Sequence, residues 1–319
     1  MGSALLIRGV LGACLFCCAP LQASADDILT LSREFVEANK NRLTMSITYR
    51  VDAAHRNPNP ASKDGDLHIA GRSPQIGLAT VAEIQNAADA DDAVARVHAV
   101  EGTDQGLQVV GVWRIWPEHG GDTQHVQRAD AGPKWTGPSP TNPPHVFEIH
   151  PVLKIDDFDL KHTLVPIDGY TYKEARDAFQ RYGASTFEIT PVGDKVRMRM
   201  KMVGFNYVEF LLKLQKRFHR EADGEFVSAD IHTLSGSLIA RGVRVGFVDG
   251  SEPDRKQRQL QEGLCMKVLG IPRVDLALVS WRLDHQADPE FPDALRWSLP
   301  YEIVAVGSFG DRPKPCGDD

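Results

Sequence analysis

Between residues 43 and 155 the chain divides into five short extended segments with a single helix inserted after the third, an order that few folds accommodate. The segments are residues 43–51, a short run at Asp66-Leu67-His68, then 78–84, 107–116 and 145–155. The helix is expected at 89–100, opening on acids. Turn-forming residues at 57–65 separate the first two segments. From 117 to 144 the composition shifts to Gly, Pro, Asp and Gln, with Trp135 the only large apolar side chain besides Val126. That is a long loop between the fourth and fifth segments, of a length usually found in functional or disordered connections.

Five strands with a helix between the third and fourth is the order of the OB-fold, a partly open barrel that binds ligands on its second and third strands and the adjoining loops. The expected fold class is mainly β (α+β), with two OB-like five-stranded barrels and short helices. The first domain is placed at 26–160, with an N-terminal helix at 28–38, and the second at 161–319. For the second, the pattern gives a helix at 172–182, extended segments at 186–191, 195–203, 226–248, 267–283 and 299–306, and a helix at 253–262 that Pro253 opens. Three local echoes suggest an internal repeat. Asp66-Leu67-His68 is echoed by Asp230-Ile231-His232, the 109–115 run by Leu278–Leu283, and His145-Val146-Phe147-Glu148-Ile149 by Pro300-Tyr301-Glu302-Ile303. Where the first copy has His150, the second has Val304.

The first 25 residues carry one charged side chain, Arg8, then an apolar run at 10–16 and Ala23-Ser24-Ala25 before two aspartates. This is the pattern of a secretory leader cleaved after Ala25, and it implies a periplasmic or secreted protein. No later segment approaches 18 uninterrupted apolar residues, so no membrane span is expected. Three of the five cysteines fall in the leader, leaving Cys265 and Cys316. In an oxidising compartment their natural state is a disulfide, worth at most about 4 kcal/mol on the chain-entropy model; two unpaired thiols is the alternative. The formal net charge is −7. That sign disfavours nucleic acid as a general partner unless a local basic face overrides it.

Strand alternation sets Asp66 and His68 opposite Leu67 and Ile69, and Glu148 and His150 opposite Phe147 and Ile149. Glu83, on the neighbouring third strand, completes a set of five polar residues on one face. Eight of the eleven histidines lie between positions 55 and 162, which concentrates imidazole in the first domain. Imidazole with carboxylate suits a divalent metal such as zinc, manganese or calcium. In that reading His68, Glu83 and His150 hold the metal, and Asp66 and Glu148 act as catalytic base or further ligand. The competing reading is a hydrogen-bonded polar network without a site.

Trp135 is a candidate stacking residue or a tryptophan folded back on the barrel end. Lys195, Arg197, Arg199 and Lys201 alternate with Val196, Met198, Met200 and Met202, which aligns four cations on one strand face. That face is an anion-binding surface or a solvated outer face protecting an edge. No helical histidine motif, serine elbow or phosphate loop is present. The leading expectation is a module that binds a small or oligomeric ligand. The rival is a divalent-metal-dependent hydrolase, a phosphodiesterase or nuclease.

The stretch Asp64-Gly65-Asp66-Leu67-His68-Ile69-Ala70-Gly71 resembles the Asp-Gly-Asp-Thr strand of staphylococcal-type thermonucleases, OB-fold enzymes that hold calcium with acidic side chains. The resemblance covers about the first domain. It maps Asp66, and loosely Glu83, onto calcium ligands; the family's further calcium-binding aspartates, paired catalytic arginines and glutamate base have no counterparts. Asp66-x-His68 followed by the Val112–His119 strand and Phe147-Glu148-Ile149-His150-Pro151 also resembles a group of bacterial secreted OB-like proteins of uncharacterised activity. That resemblance implies the fold and no function.

Overall fold

The computed structural model describes residues 26–121, 123–285 and 296–316. The expected leader and its cleavage site lie outside them. In chain order, β1 (Asp27–Ser32), α1 (Arg33–Asn39), β2 (Thr44–Ala54), β3 (Leu67–Arg72), β4 (Thr80–Ile84), α2 (Asp91–Val100), β5 (Gly106–His119), β6 (Gln124–Val126), β7 (His145–Ile155) and β8 (Phe158–Asp159) form the first half. The second half runs β9 (Lys173–Glu174), α3 (Ala175–Ala184), β10 (Thr186–Val192), β11 (Lys195–Met200), β12 (Val208–Glu221), β13 (Gly224–His232), β14 (Leu238–Val248), α4 (Glu252–Gln257), β15 (Leu264–Val274), α5 (Leu276–Asp284), β16 (Arg296–Ser298), β17 (Tyr301–Ser308) and β18 (Lys314–Pro315).

Two closed five-stranded barrels result, both in OB order. The first closes as β2-β3-β4-β7-β5, sealed by the parallel β4–β7 pair and the antiparallel β2–β5 pair. The second closes as β12-β13-β14-β17-β15. Each has its helix, α2 or α4, between the third and fourth barrel strands. Inward residues such as Tyr49, Ile69, Ala82, Phe147 and Ile149 fill the first interior. Their outward neighbours Asp66, His68, Glu83, Glu148 and His150 are the polar set described above.

A third sheet, β16-β10-β11-β1-β6, joins the two halves. Here the sequence reading needs correction. Residues 28–32 are strand, not helix: Ser32 caps α1 by accepting from Phe35 N at 3.1 Å, and Leu29 and Leu31 enter the core from β1. Residues 186–200 belong to this sheet rather than to the second barrel. The second barrel opens instead with β12, whose bulges between Leu214 and Lys216 and between Arg217 and Arg220 break the two-residue period that marks a strand. The stretch 226–248 is two strands. The 267–283 stretch is β15 followed by α5, which Asp275 caps by accepting from Leu278 N.

The barrels pack through a nearly two-fold arrangement of buried arginines. Arg114 on β5 stands opposite Glu148 on β7, and Arg273 on β15 opposite Glu302 on β17. Each arginine pairs with that glutamate and also crosses to the other barrel. Arg114 Nε donates to Pro272 O at 2.9 Å, and one terminal nitrogen of Arg273 donates to Trp113 O at 3.0 Å. The Arg273 guanidinium lies 3.7 Å from the centre of the Trp113 ring. Around this clasp, Val112 and Leu153 of the first barrel meet Ile271, Val304 and Val306 of the second in one apolar cluster. Cys265 and Cys316 form a disulfide that ties β18 to β15. Among the described residues no helix is long and apolar enough to cross a membrane.

The register also realigns the internal repeat. His68 stands opposite Glu83, and His150 follows one residue beyond the Ala82–Ile149 pair. In the second barrel the matching row is Phe226, Gly246 and Val304. The Glu148–Glu302 echo therefore holds. Asp230-Ile231-His232 occupies the opposite end of its strand, and Leu278–Leu283 lies in α5.

Candidate functional site: a buried acid-histidine cluster and an adjoining cleft

Five expected residues converge. Gly65, in a left-handed turn (φ 70°), delivers Asp66 to the start of β3. The His150 ring then lies between carboxylates on both sides. Its Nδ1 is 3.0 Å from Glu83 and 3.6 Å from Glu148, and its Nε2 is 3.5 Å from Asp66. His68 stands at the margin, 3.7 Å from Glu83 and stacked on His55 at 4.7 Å between ring centres. The three groups whose donor atoms lie within 4.8 Å of one another are Asp66, Glu83 and His150. Among the described residues that group includes Asp66 and not His68, whose ring stands 3.7 Å from Glu83.

Three further side chains join the cluster. Tyr207, from the linker before β12, donates to Asp66 at 2.8 Å and meets His150 Nε2 at 2.7 Å, closing the cluster from outside. Arg114 binds Glu148 and lies 3.3 Å from Glu118. His145 Nδ1 donates to Pro143 O at 2.7 Å, with Nε2 3.3 Å from Glu148. For Arg114 the signal was available: it faces outward on β5, across from Glu148.

The electrostatics follow from burial and neighbours. Burial opposes the charge on His150, but Glu83, Glu148 and Asp66 outweigh it and push its pKa up to about 9. The ring is therefore an imidazolium near neutral pH, with Nε2 bonded to Tyr207 and Nδ1 in ion-pair range of Glu83. Burial raises Asp66 well above the usual carboxylate range, partly offset by His150. Glu148 is held well below it, because Arg114, His145 and His150 overcome desolvation. Glu83 is also depressed, with His68 and His150 exceeding the burial penalty. Asp66 Oδ1 and His150 Nδ1 make no hydrogen bond within the described structure.

The second place is a cleft of about 220 Å³ farther along the same outer face. Ala70 and Arg72 of β3, Gly77–Ala79 before β4, and Arg128, Lys134 and Trp135 of the long loop line it. The loop is pinned. Arg128 N donates to Gly77 O at 2.9 Å, and a Cβ on Gly77 (φ 69°) would come within 2.1 Å of Arg128 O, so only glycine permits the approach. Arg72 grips Asp52 with two bonds of 2.8 and 2.9 Å and reaches Gly132 O at 3.0 Å. Trp135 is fixed by its indole N–H to Pro138 O at 2.9 Å yet stays 37% exposed. Lys134 is exposed and makes no ion pair among the described residues.

Lys195, Arg197, Arg199 and Lys201 fall in the third sheet or just after it, outside both barrels, with Val196, Met198 and Met200 fully buried beneath them. No protein-family model matches the sequence, and comparison with curated proteins finds no match.

Proposed function

We propose that the protein is a ligand-binding module of OB-like architecture whose site is the cleft at Trp135. One observation carries this reading: β3, the entry to β4 and the loop between the fourth and fifth barrel strands together line the cleft, where OB barrels receive ligands. An exposed indole beside a free lysine suits a ring with a polar or anionic substituent. The acid–histidine cluster then serves as the charge-balanced support of that face. A thermal-shift screen of sugars and small organic anions is expected to give a hit whose effect falls severalfold in Trp135→Ala. Equal shifts in wild type and Trp135→Ala, for every hit, remove the site.

A second reading, a divalent-metal-dependent phosphodiesterase or nuclease, is favoured by the Asp66, Glu83 and His150 donors and the unbonded Asp66 Oδ1. Zinc or manganese matches such a nitrogen and oxygen set, and the metal would take the place of the His150 proton. It predicts stoichiometric metal in the purified protein that is lost in His150→Ala. Metal-free wild-type protein with no thermal response to zinc, manganese or calcium sinks it.

A further inference from the structure

The cleft is smaller than the roughly 300–1,000 Å³ of sites that enclose a small molecule whole, so a larger ligand must extend beyond it. The neighbouring surface has a definite character. β6, which supplies Gln124 and Val126 to the cleft wall, is an edge strand of the third sheet and pairs with β1. β1 in turn pairs with β11. Across these ladders Arg197 shares a row with Thr30 and Val126, and Arg199 a row with Ile28 and Gln124. Two strand spacings separate the arginines from the cleft wall, roughly 9.5 Å.

Successive cations on β11 are spaced about 6.6 Å apart. None of Lys195, Arg197, Arg199 and Lys201 makes an ion pair among the described residues. The acid closest in register is Glu188, opposite Arg199, and Asp26 borders the same end beside Lys201. The residues across the ladders from these cations are Ile28, Thr30 and Ser32 on β1 and Glu188, Thr190 and Val192 on β10, with no aromatic group among them. A strand of nucleic acid would find no stacking platforms there, since its sequence-tolerant binding relies on repeated aromatic contacts. A chain bearing its acids directly on its rings would need only one platform and a cation ladder.

We propose that the cleft and the cationic face of β11 form one track for an acidic polysaccharide, with a single sugar ring against Trp135 and ring carboxylates or sulfates along Arg197 and Arg199. This deepens the ligand-binding reading and rests on it. Titration of the purified protein with heparin and with polygalacturonate, sulfated and carboxylated probes respectively, tests it. Binding of one or both is expected, weakening about tenfold or more as salt rises. Arg197→Gln with Arg199→Gln, both exposed and unpaired, is expected to weaken that binding about tenfold.

Preference for heparin or for polygalacturonate supports the track and identifies the acid group. Failure of both probes, or binding indifferent to the double substitution, overturns it. In that event a small-ligand response still lost in Trp135→Ala leaves the cleft reading standing, whereas a response retained there removes both. Tighter binding of oligothymidylate than of either polysaccharide overturns the proposal in favour of nucleic acid.

Discussion

Arg273→Met is expected to destabilise the protein by about 3–5 kcal/mol, lowering its melting temperature by roughly 10 °C. The guanidinium is fully buried, binds Glu302 at 2.6 Å, and donates to the backbone carbonyls of Leu43, Trp113 and Arg42 at 3.1, 3.0 and 2.9 Å. Removing it takes a donor from three carbonyls, of which Arg42 O keeps the Trp113 indole N–H at 2.8 Å, and leaves Glu302 with Arg244 alone, at 3.0 Å. Burial already weighs on this pair: it lowers the pKa of Arg273 and raises that of Glu302 despite their mutual attraction. The charges are held by geometry, so breaking the geometry is costly. Arg114→Met should cost a similar amount, since it strands Glu148 and frees Pro272 O. Because each arginine grips the backbone next to the other, the two costs should not add in the double variant. Urea unfolding of the two singles and the double checks this. Single costs below about 1 kcal/mol that simply sum would show that the crossing contacts do not hold the barrels together.

That clasp also marks where the sequence was readable. The first barrel could be traced because turn residues bound its strands and the helix falls after the third, even though its β2–β3 and β5–β7 ladders carry register shifts. Strand alternation set Asp66, His68, Glu83, Glu148 and His150 on one face, where the structure has them. The second barrel is less legible for a local reason: the bulges of β12 disrupt its two-residue period, while β10 and β11, which belong to the third sheet, keep a regular one. Similarity between short words misled for a related reason. Asp66-Leu67-His68 and Asp230-Ile231-His232 match as letters, but His68 opposite Glu83 corresponds to Phe226 opposite Gly246, and His232 lies at the far strand end. The capping aspartate of α5 was a legible signal, outweighed by a run of apolar residues. Tyr207 was not legible at all. Its contact with Asp66 spans 141 residues of chain, and only tertiary folding brings the linker across the barrel face.

In chelator-treated protein, stability should fall by about 3 kcal/mol as pH rises from about 6 to about 9.5, and most of the fall should be lost in His150→Gln. The folded state raises the His150 pKa to about 9 from an ordinary 6.5. A raised histidine stabilises fully below the unfolded value and loses that contribution as pH climbs through the folded one. Two of the carboxylates act elsewhere: Glu83 and Glu148 are depressed, so their contributions are present above the ordinary carboxylate range and lost in acid. Asp66 is raised well above that range by burial, so its ionisation opposes folding in the same direction as the loss of the His150 proton. Replacing the imidazolium with an amide at neutral pH leaves Glu83 and Glu148 without the cation between them, at an expected cost of about 3–5 kcal/mol. Denaturant unfolding of both proteins across the range measures the two effects together. A flat wild-type profile, or an equal slope in His150→Gln, would mean that His150 is neutral in the fold. The carboxylates around it would then be balanced by Arg114 and His145, the other cations of the cluster.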